Sequence, residues 1–344
     1  MIAAQYLSDL AVGLSGKLVG DDAPVSSISI DTRTLQPGQL FVAIKGPNFD
    51  GHNYVQAALE KGAAGVLVSQ PAEELPYILV DDTEKALAHI GHLNRDAFKG
   101  PVLGITGSSG KTSVKEMLAA IFGQVAPTLS TIGNLNNAYG VPVTLGHLTE
   151  EYKYAVVEMG TNSPGEIAYL THIVRPHVAL VNNASSSHVA GLGSVLGVVE
   201  EKGAIFDLLP EDGCAVINLD DEHHQVWMDR VARTSGCRIS TFSLYRQNAD
   251  SWPSDVVTEE NGMHFILHLD GKETPVHLQF WGRHQVANAC AAAAIAKAAG
   301  LDIETIAAGL GLARPYARRG QRFRTDNGAM IIDQSYNANP ASTR

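Results

Sequence analysis

The chain has 344 residues, with 25 Lys and Arg against 36 Asp and Glu, a formal net charge of −11, and 45% apolar against 18% charged residues. At about 100–200 residues per domain this length suits two or three domains, each able to bury its own core, and the composition excludes a disordered or fibrous chain. A binder of phosphate backbones needs a basic surface, so the acidic balance argues against nucleic acid as a partner.

Cys214, Cys237 and Cys290 are odd in number and widely spaced. That fits neither a disulfide framework nor a Cys-rich zinc site and favours a reducing compartment. Gln5, Ser8 and Asp9 break up any apolar signal segment at the start. With no run of about 18 apolar residues, no membrane span is expected, and the expected location is cytoplasmic.

Gly and Pro punctuation separates short β-branched runs from helical patterns, which is α/β construction. Strand-like runs at 27–30, 40–44, 65–68 and 77–80 flank a helical stretch at 54–61, so the opening piece, 1–83, is a small α/β domain. A helix is expected at 84–98, then an apolar strand at 102–106, a Gly/Ser loop and a helix at 112–122. Buried strands at 154–158, 177–182 and 213–218, separated by helix-length segments, call for a mostly parallel sheet. Past residue 238 the pattern turns to alternating strands, among them 263–269 and 276–280. An Ala-rich helix at 284–299, a shorter helix at 302–310 and one more strand at 329–333 complete the order. The central domain thus covers 84–313, and 314–344 resembles the first strand of a truncated third domain.

The segment Gly104-Ile-Thr-Gly-Ser-Ser-Gly-Lys-Thr112 lies between a predicted strand and a predicted helix, where backbone N–H groups surround phosphate oxygens. Its phosphate-binding residues are Thr106, Gly107, Ser108, Ser109, Gly110, Lys111 and Thr112. Lys111 reaches the β- and γ-phosphates and the Thr112 hydroxyl ligates Mg²⁺. Ile105 stands where the generic loop has Gly, so this is a variant with Gly107 at the tight turn. The alternative is a plain Gly/Ser turn with a surface lysine.

Four further features carry polar chemistry. Glu158 closes a strand at the carboxyl end where α/β sheets bind ligands, and it is either a metal ligand or a solvated acid. His188 sits in a Ser- and Gly-rich loop, and Lys202 lies on the next helix beside Glu200 and Glu201. Asn134 and Asn137 lie in the polar loop Gly133-Asn-Leu-Asn-Asn137, which turn chemistry explains nearly as well as binding.

Together with Glu158-Met-Gly160, Gly282-Arg-His284, Asn288 and Asp333-Gln-Ser-Tyr-Asn-Ala-Asn-Pro340, these motifs resemble the Mur ligase family of ATP-dependent amide-forming enzymes across nearly the whole chain. The last motif is similar to the branch that joins D-alanyl-D-alanine to UDP-N-acetylmuramoyl-tripeptide in peptidoglycan precursor synthesis. The resemblance implies an N-terminal UDP-substrate domain, a central P-loop ATPase-like domain and a Rossmann-like C-terminal domain, nearly all of it missing, so that the chain as it stands does not complete the reaction. It implies ATP and Mg²⁺ as cofactors, Mg²⁺ ligation by Thr112, Glu158 and His188, and a carbamylated Lys202 supporting the metal. Lys111, Lys202 and His188 are its catalytic candidates. Asn288, with His284 one turn away, would approach the base and Asp333 the ribose. The opening domain would bind the UDP-substrate through Thr32, Arg33, Lys45, Gly46, Asp50 and His52, with Asn134 and Asn137. The text Arg318-Arg-Gly-Gln-Arg322 departs from the family's usual Gly-Arg pair, with Arg319 or Arg322 the favoured substitute. Rival readings are another amide ligase of the superfamily, such as a folate polyglutamylating enzyme, and a non-catalytic nucleotide-binding protein.

Overall fold

The computed structural model describes every residue except Pro47, 186–188, Gln334 and 337–344, and all side chains of the described residues except that of Ala190. It contains two compact units. One comprises Met1–Gly100, Thr131–Tyr152 and His172–Val174; the other holds the described residues of Pro101–Ser130, Lys153–Thr171 and Arg175–Arg344.

The first unit has a five-stranded sheet in the order Lys17–Val19, Tyr77–Leu79, Gly65–Val68, Leu40–Val42, Ile28–Ser29, parallel except for the first pair. Strands at 40–42 and 65–68 are buried on both faces, which is why they stand out as unbroken apolar runs. Leu40, Val42 and Leu67 point into one core and Phe41, Val66 and Val68 into the other, the alternation that a period of two demands. Lys17–Val19 is an edge strand with no fully buried residue, and without an apolar signal the sequence does not announce it.

Helix Thr83–Ala97 belongs to this unit, its start capped by Asp82, whose Oδ1 accepts from the N–H groups of Glu84 and Lys85 at 2.9 and 3.0 Å. A Cβ on Gly91 would come within 2.7 Å of the Pro142 Cα, so glycine lets helix Gly140–Leu145 pack directly on it. One turn on, Asn94 is wholly buried: its Oδ1 accepts from the N–H groups of Ile2 and Ala3, and its Nδ2 donates to the carbonyls of Leu145 and Leu148.

The second unit is built on a nine-stranded sheet, in the order Lys272–Leu278, Gly262–Leu269, Ser251–Glu259, Arg238–Phe242, Cys214–Asn218, Val178–Val181, Val102–Thr106, Tyr154–Glu158, Thr128–Ser130. The seven strands from Ser251–Glu259 to Thr128–Ser130 run parallel, and the two beyond form an antiparallel extension. The chain leaves Val102–Thr106 to build one side of the sheet and later the other, so this strand sits at the switch point where the strand order reverses. Helices Lys111–Gly123, Arg283–Ala298 and Ile303–Leu312 pack over one face through Val114, Met117, Ile121, Val286, Ile295 and Ile306. The Ala-rich helix is buried from Gln285 through Ala296 apart from Ala287, its small side chains allowing close approach. Among the described residues no helix is long and apolar enough to cross a membrane.

Asn94→Leu removes the amide and leaves the carbonyls of Leu145 and Leu148 without a donor in the interior, while the N–H groups of Ile2 and Ala3 lie near the surface. Unsatisfied buried groups each cost about 1–3 kcal/mol, so a loss of about 3 kcal/mol is expected in urea unfolding. An unchanged midpoint would contradict this account of the first unit.

Candidate active site

Parallel pairing puts the carboxyl ends of neighbouring strands side by side. Ile105 registers with Glu158 and with Leu180, and Thr106 with Val181, so the loop leaving Thr106, the Glu158 carboxylate and the residues after Val181 share one edge. From Thr106 the loop Gly107–Gly110 leads into helix Lys111–Gly123.

That loop is braced by a pair of asparagines. The carbonyl of Asn183 accepts from Ser108 N–H at 2.9 Å, and its Oδ1 accepts from Ser109 N–H at 2.9 Å. Asn182 Nδ2 donates to the Ser109 carbonyl at 3.0 Å and to Asn288 Oδ1 at 2.9 Å, while Ser185 N–H donates to Ser108 Oγ at 3.0 Å. At Gly110 φ is +79°, and an added Cβ would lie 2.5 Å from Asn288 Oδ1 and closer still to Asn182 Nδ2. Only glycine satisfies both the backbone and the space.

Two cations and a carboxylate meet beside this loop. Lys111 Nζ donates to the Gly107 carbonyl at 2.6 Å. Burial lowers its pKa, the Glu158 charge partly opposes that, and Arg319 adds to the lowering. Lys202 is 1% exposed, and burial first, then the charge of Lys111, push its ammonium down to about 7, with Glu201 opposing. Thr112 Oγ1 donates to Glu158 Oε2 at 2.9 Å, both side chains buried. The Thr106 hydroxyl is buried with no hydrogen-bond partner among the described residues.

The helix bearing Lys202, Val195–Gly203, is held from two sides. Glu201 accepts from the N–H groups of Gly165 and Ile167, both at 2.7 Å, at the start of helix Glu166–Val174. The Trp227 indole donates to the Val199 carbonyl at 3.0 Å, and Arg230 Nη1 donates to the Glu200 carbonyl at 2.9 Å and to its Oε2 at 3.1 Å. Lys202 is therefore a fixed interior group and not a solvated helix lysine.

The structure thus brings Thr106, Gly107, Ser108, Ser109, Gly110, Lys111, Thr112, Glu158 and Asn288 together, with Lys202 close enough to feel the charge of Lys111. His188 lies outside the described residues. Asn288 is 5% exposed, and its Nδ2 donates to Gln285 Oε1 at 3.0 Å. Burial lowers the pKa of His284. Asp333, on the two-stranded pair Gln321–Arg324 and Met330–Asp333, accepts from Ser335 N–H at 2.9 Å, and no described hydrogen bond ties it to the phosphate loop. Of the two favoured arginines, Arg319 is the one whose charge acts on Lys111, whereas the Arg322 guanidinium lies 4.0 Å over the Trp281 ring. Sequence reasoning missed Asn182, Asn183 and Gln285; a pair of asparagines directly after a buried strand was the available signal.

In the first unit a cavity of about 490 Å³ is lined by Ile30, Asp31, Thr32, Arg33, Phe41, Phe49, Tyr54 and Leu135. Arg33 pairs with Asp31 at 2.6 Å and holds that carboxyl below its usual range, and the Phe49 and Tyr54 rings stack at 5.2 Å. Lys45 and Gly46 pair with Asp50 and Phe49 in a short antiparallel ladder. His52 is an internal strut: Asp50 Oδ1 lies 2.7 Å from its Nδ1, and its Nε2 accepts from Ser69 N–H at 3.0 Å, so the neutral ring carries its proton on Nδ1. Asn137 Oδ1 accepts from the N–H groups of Tyr139 and Gly140 at 3.2 and 2.9 Å, and Asn134 is exposed.

Residues 24–94 match the Mur ligase family catalytic domain, and residues 105–296 match the Mur ligase middle domain. UDP-N-acetylmuramoyl-tripeptide--D-alanyl-D-alanine ligase of Escherichia coli strain K12 is 41% identical over 337 residues, 98% of this chain and 74% of that protein. The enzyme of the same name from Bacillus subtilis strain 168 is 36% identical, covering 93% of this chain and 69% of its own length. A crystal structure of MurF from Acinetobacter baumannii superposes with a TM-score of 0.88 at 33% identity, over 97% of this chain and 73% of that one. MurF ligase from Thermotoga maritima in complex with ADP does so with a TM-score of 0.77 at 27% identity, over 92% of this chain and 73% of that one.

Gly110→Ala forces a Cβ into two interior amides and is expected to weaken ATP binding at least about tenfold, an effect of about 1.4 kcal/mol or more. Titration calorimetry reads this directly, and wild-type affinity would rule out the close-packed loop as a nucleotide site.

Proposed function

Because the chain belongs to the Mur ligase family, we propose that it is the ATP-dependent ligase joining D-alanyl-D-alanine to UDP-N-acetylmuramoyl-tripeptide, a step of peptidoglycan precursor synthesis. The observation that carries this reading is the Thr112–Glu158 hydrogen bond beside Lys111 at the phosphate loop, on a chain 41% identical to an enzyme bearing that name. The cavity at Asp31, Thr32 and Arg33 is the proposed seat of the UDP-substrate, with Lys45 supplying further positive charge and Asp50 and His52 bracing the wall. The same reading locates the reaction in the cytoplasm, where ATP is available.

In the proposed reaction a carboxylate oxygen of the tripeptide attacks the γ-phosphorus, the bond to the β-bridging oxygen breaks and ADP leaves. The D-alanyl-D-alanine amine then attacks the acyl carbon, phosphate departs and the amine gives up a proton. Lys111 holds its ammonium where charge spreads over the phosphoryl oxygens, and preorganised cations of this kind act most strongly in a water-poor site. The N–H groups at the start of helix Lys111–Gly123, which have no partner within the helix, orient the phosphates.

Mg²⁺ suits the donors present. Thr112 Oγ1 and Glu158 are hard oxygen ligands, and this ion keeps several waters and substrate phosphates in its shell, so it needs few protein ligands. Among the described residues no group of three or more His, Cys, Asp and Glu forms a metal cluster; His188 is the further proposed ligand. When bound, the ion neutralises charge on the β- and γ-phosphates.

Lys202 is the proposed carbamylation site. Its neutral amine attacks CO₂, an N–C bond forms, one proton is released and a buried cation becomes an anion. A pKa of about 7 leaves about half the amines neutral at pH 7, against less than about one in a thousand at the ordinary lysine value.

Lys111→Ala in the full-length protein is expected to abolish ADP release with both substrates present, while UDP-substrate binding stays within about twofold; wild-type-like acyl phosphate formation would refute the role. CO₂-depleted buffer should lower ADP release and bicarbonate restore it. Dependence on added bicarbonate should be steeper at pH 6, where about nine in ten amines are protonated, than at pH 8. An unmodified Lys202 in the mass spectrum of fully active protein would sink the carbamate.

A further inference from the structure

We propose that Asn182 is a positioning residue for the nucleotide, using its side-chain amide to tie the phosphate loop to helix Arg283–Ala298. This deepens the nucleotide reading above and rests on it. Asn182 is 2% exposed and is held through its backbone N–H, its backbone carbonyl and its side-chain nitrogen. Its N–H donates to the Thr106 carbonyl at 2.9 Å, its carbonyl accepts from Asn218 Nδ2 at 2.9 Å, and its Nδ2 serves Ser109 and Asn288 together.

The direction of this relay follows from one backbone group. The Ser109 carbonyl can only accept, so the amide of Asn182 must turn its nitrogen toward the loop. That nitrogen also faces Asn288, which must therefore offer its oxygen, and the Asn288 nitrogen then donates to Gln285 Oε1. Three interior amides are thus oriented in series from the loop into the helix. Gly110 passes between the first two, where any side chain would strike both. Asn183 takes the N–H groups of Ser108 and Ser109, so adjacent residues of one strand end hold two of the loop's N–H groups and the Ser109 carbonyl. A loop held in its binding shape beforehand avoids the ordering cost at the moment of binding.

A chain of amides has a signature that independent packing residues lack: its members are energetically coupled. The test is a double-mutant cycle in the full-length protein, with the Kd for ATP measured by calorimetry at fixed Mg²⁺. Asn182→Asp, which keeps the shape and removes both donors, and Asn288→Ala are each expected to weaken binding about tenfold. The double variant should lose clearly less than the product of the two, with UDP-substrate affinity unchanged in all three. If Asn182→Asp does not fold, Asn182→Ser carries the same cycle. Multiplicative losses, or a lowered melting temperature with wild-type ATP affinity, overturn the relay while leaving the nucleotide reading intact. A wild-type protein that binds no ATP overturns both.

Discussion

The alignment of parallel strand ends is the constraint on which the second unit's chemistry depends. Hydrogen-bonded register fixes Ile105 against Glu158 and Leu180, and once those pairings exist the phosphate loop, the acidic strand end and the paired asparagines have no freedom to lie elsewhere. The switch point supplies the crevice, because the strand order builds out to opposite sides of Val102–Thr106. A sheet slipped by one residue would turn Glu158 to the opposite face and dissolve the site.

Electrostatics inside this frame are deliberately unbalanced. Lys202 is buried and feels the charge of Lys111, Arg319 adds a third cation acting on Lys111, and Glu158 offsets only part of the charge around Lys111. Buried positive charge in excess of its partners is costly unless an anion arrives. A polyphosphate and a carbamate are anions of the kind that such a site accepts. Rigid anchoring of the Lys202 helix by Glu201, Trp227 and Arg230 prevents the lysine from escaping to solvent, the ordinary way such a cost is avoided.

The first unit solves a different problem. Its sheet strands are short, and much of its specificity comes from polar struts: Asn94 joins the chain start to the residues after helix Gly140–Leu145, and Asp50, His52 and Ser69 brace one wall of the unit. Asn94 is buried and Asp50 and His52 are half-buried, each hydrogen-bonded, the arrangement that turns a desolvation cost into a unique geometry. Arg33, 87% exposed at its side chain, and the stacked Phe49 and Tyr54 are left to face the cavity.

Local rules written in the sequence determined a good deal. Apolar runs bounded by Gly and Pro marked the buried strands, and Gly107-Ser-Ser-Gly-Lys-Thr112 between a strand and a helix marked the phosphate loop, because both signals depend on neighbours in the chain. Tertiary structure alone decided the rest. Lys202 sits beside two glutamates on a predicted helix, and helical periodicity cannot say what packs over a face; only the fold puts it in the interior, where it feels the charge of Lys111. Asn182 looked like the last residue of a strand, and its partners Ser109 and Asn288 are 73 and 106 residues away. Long-range hydrogen bonds leave no local pattern, because their geometry exists only after the sheet has paired.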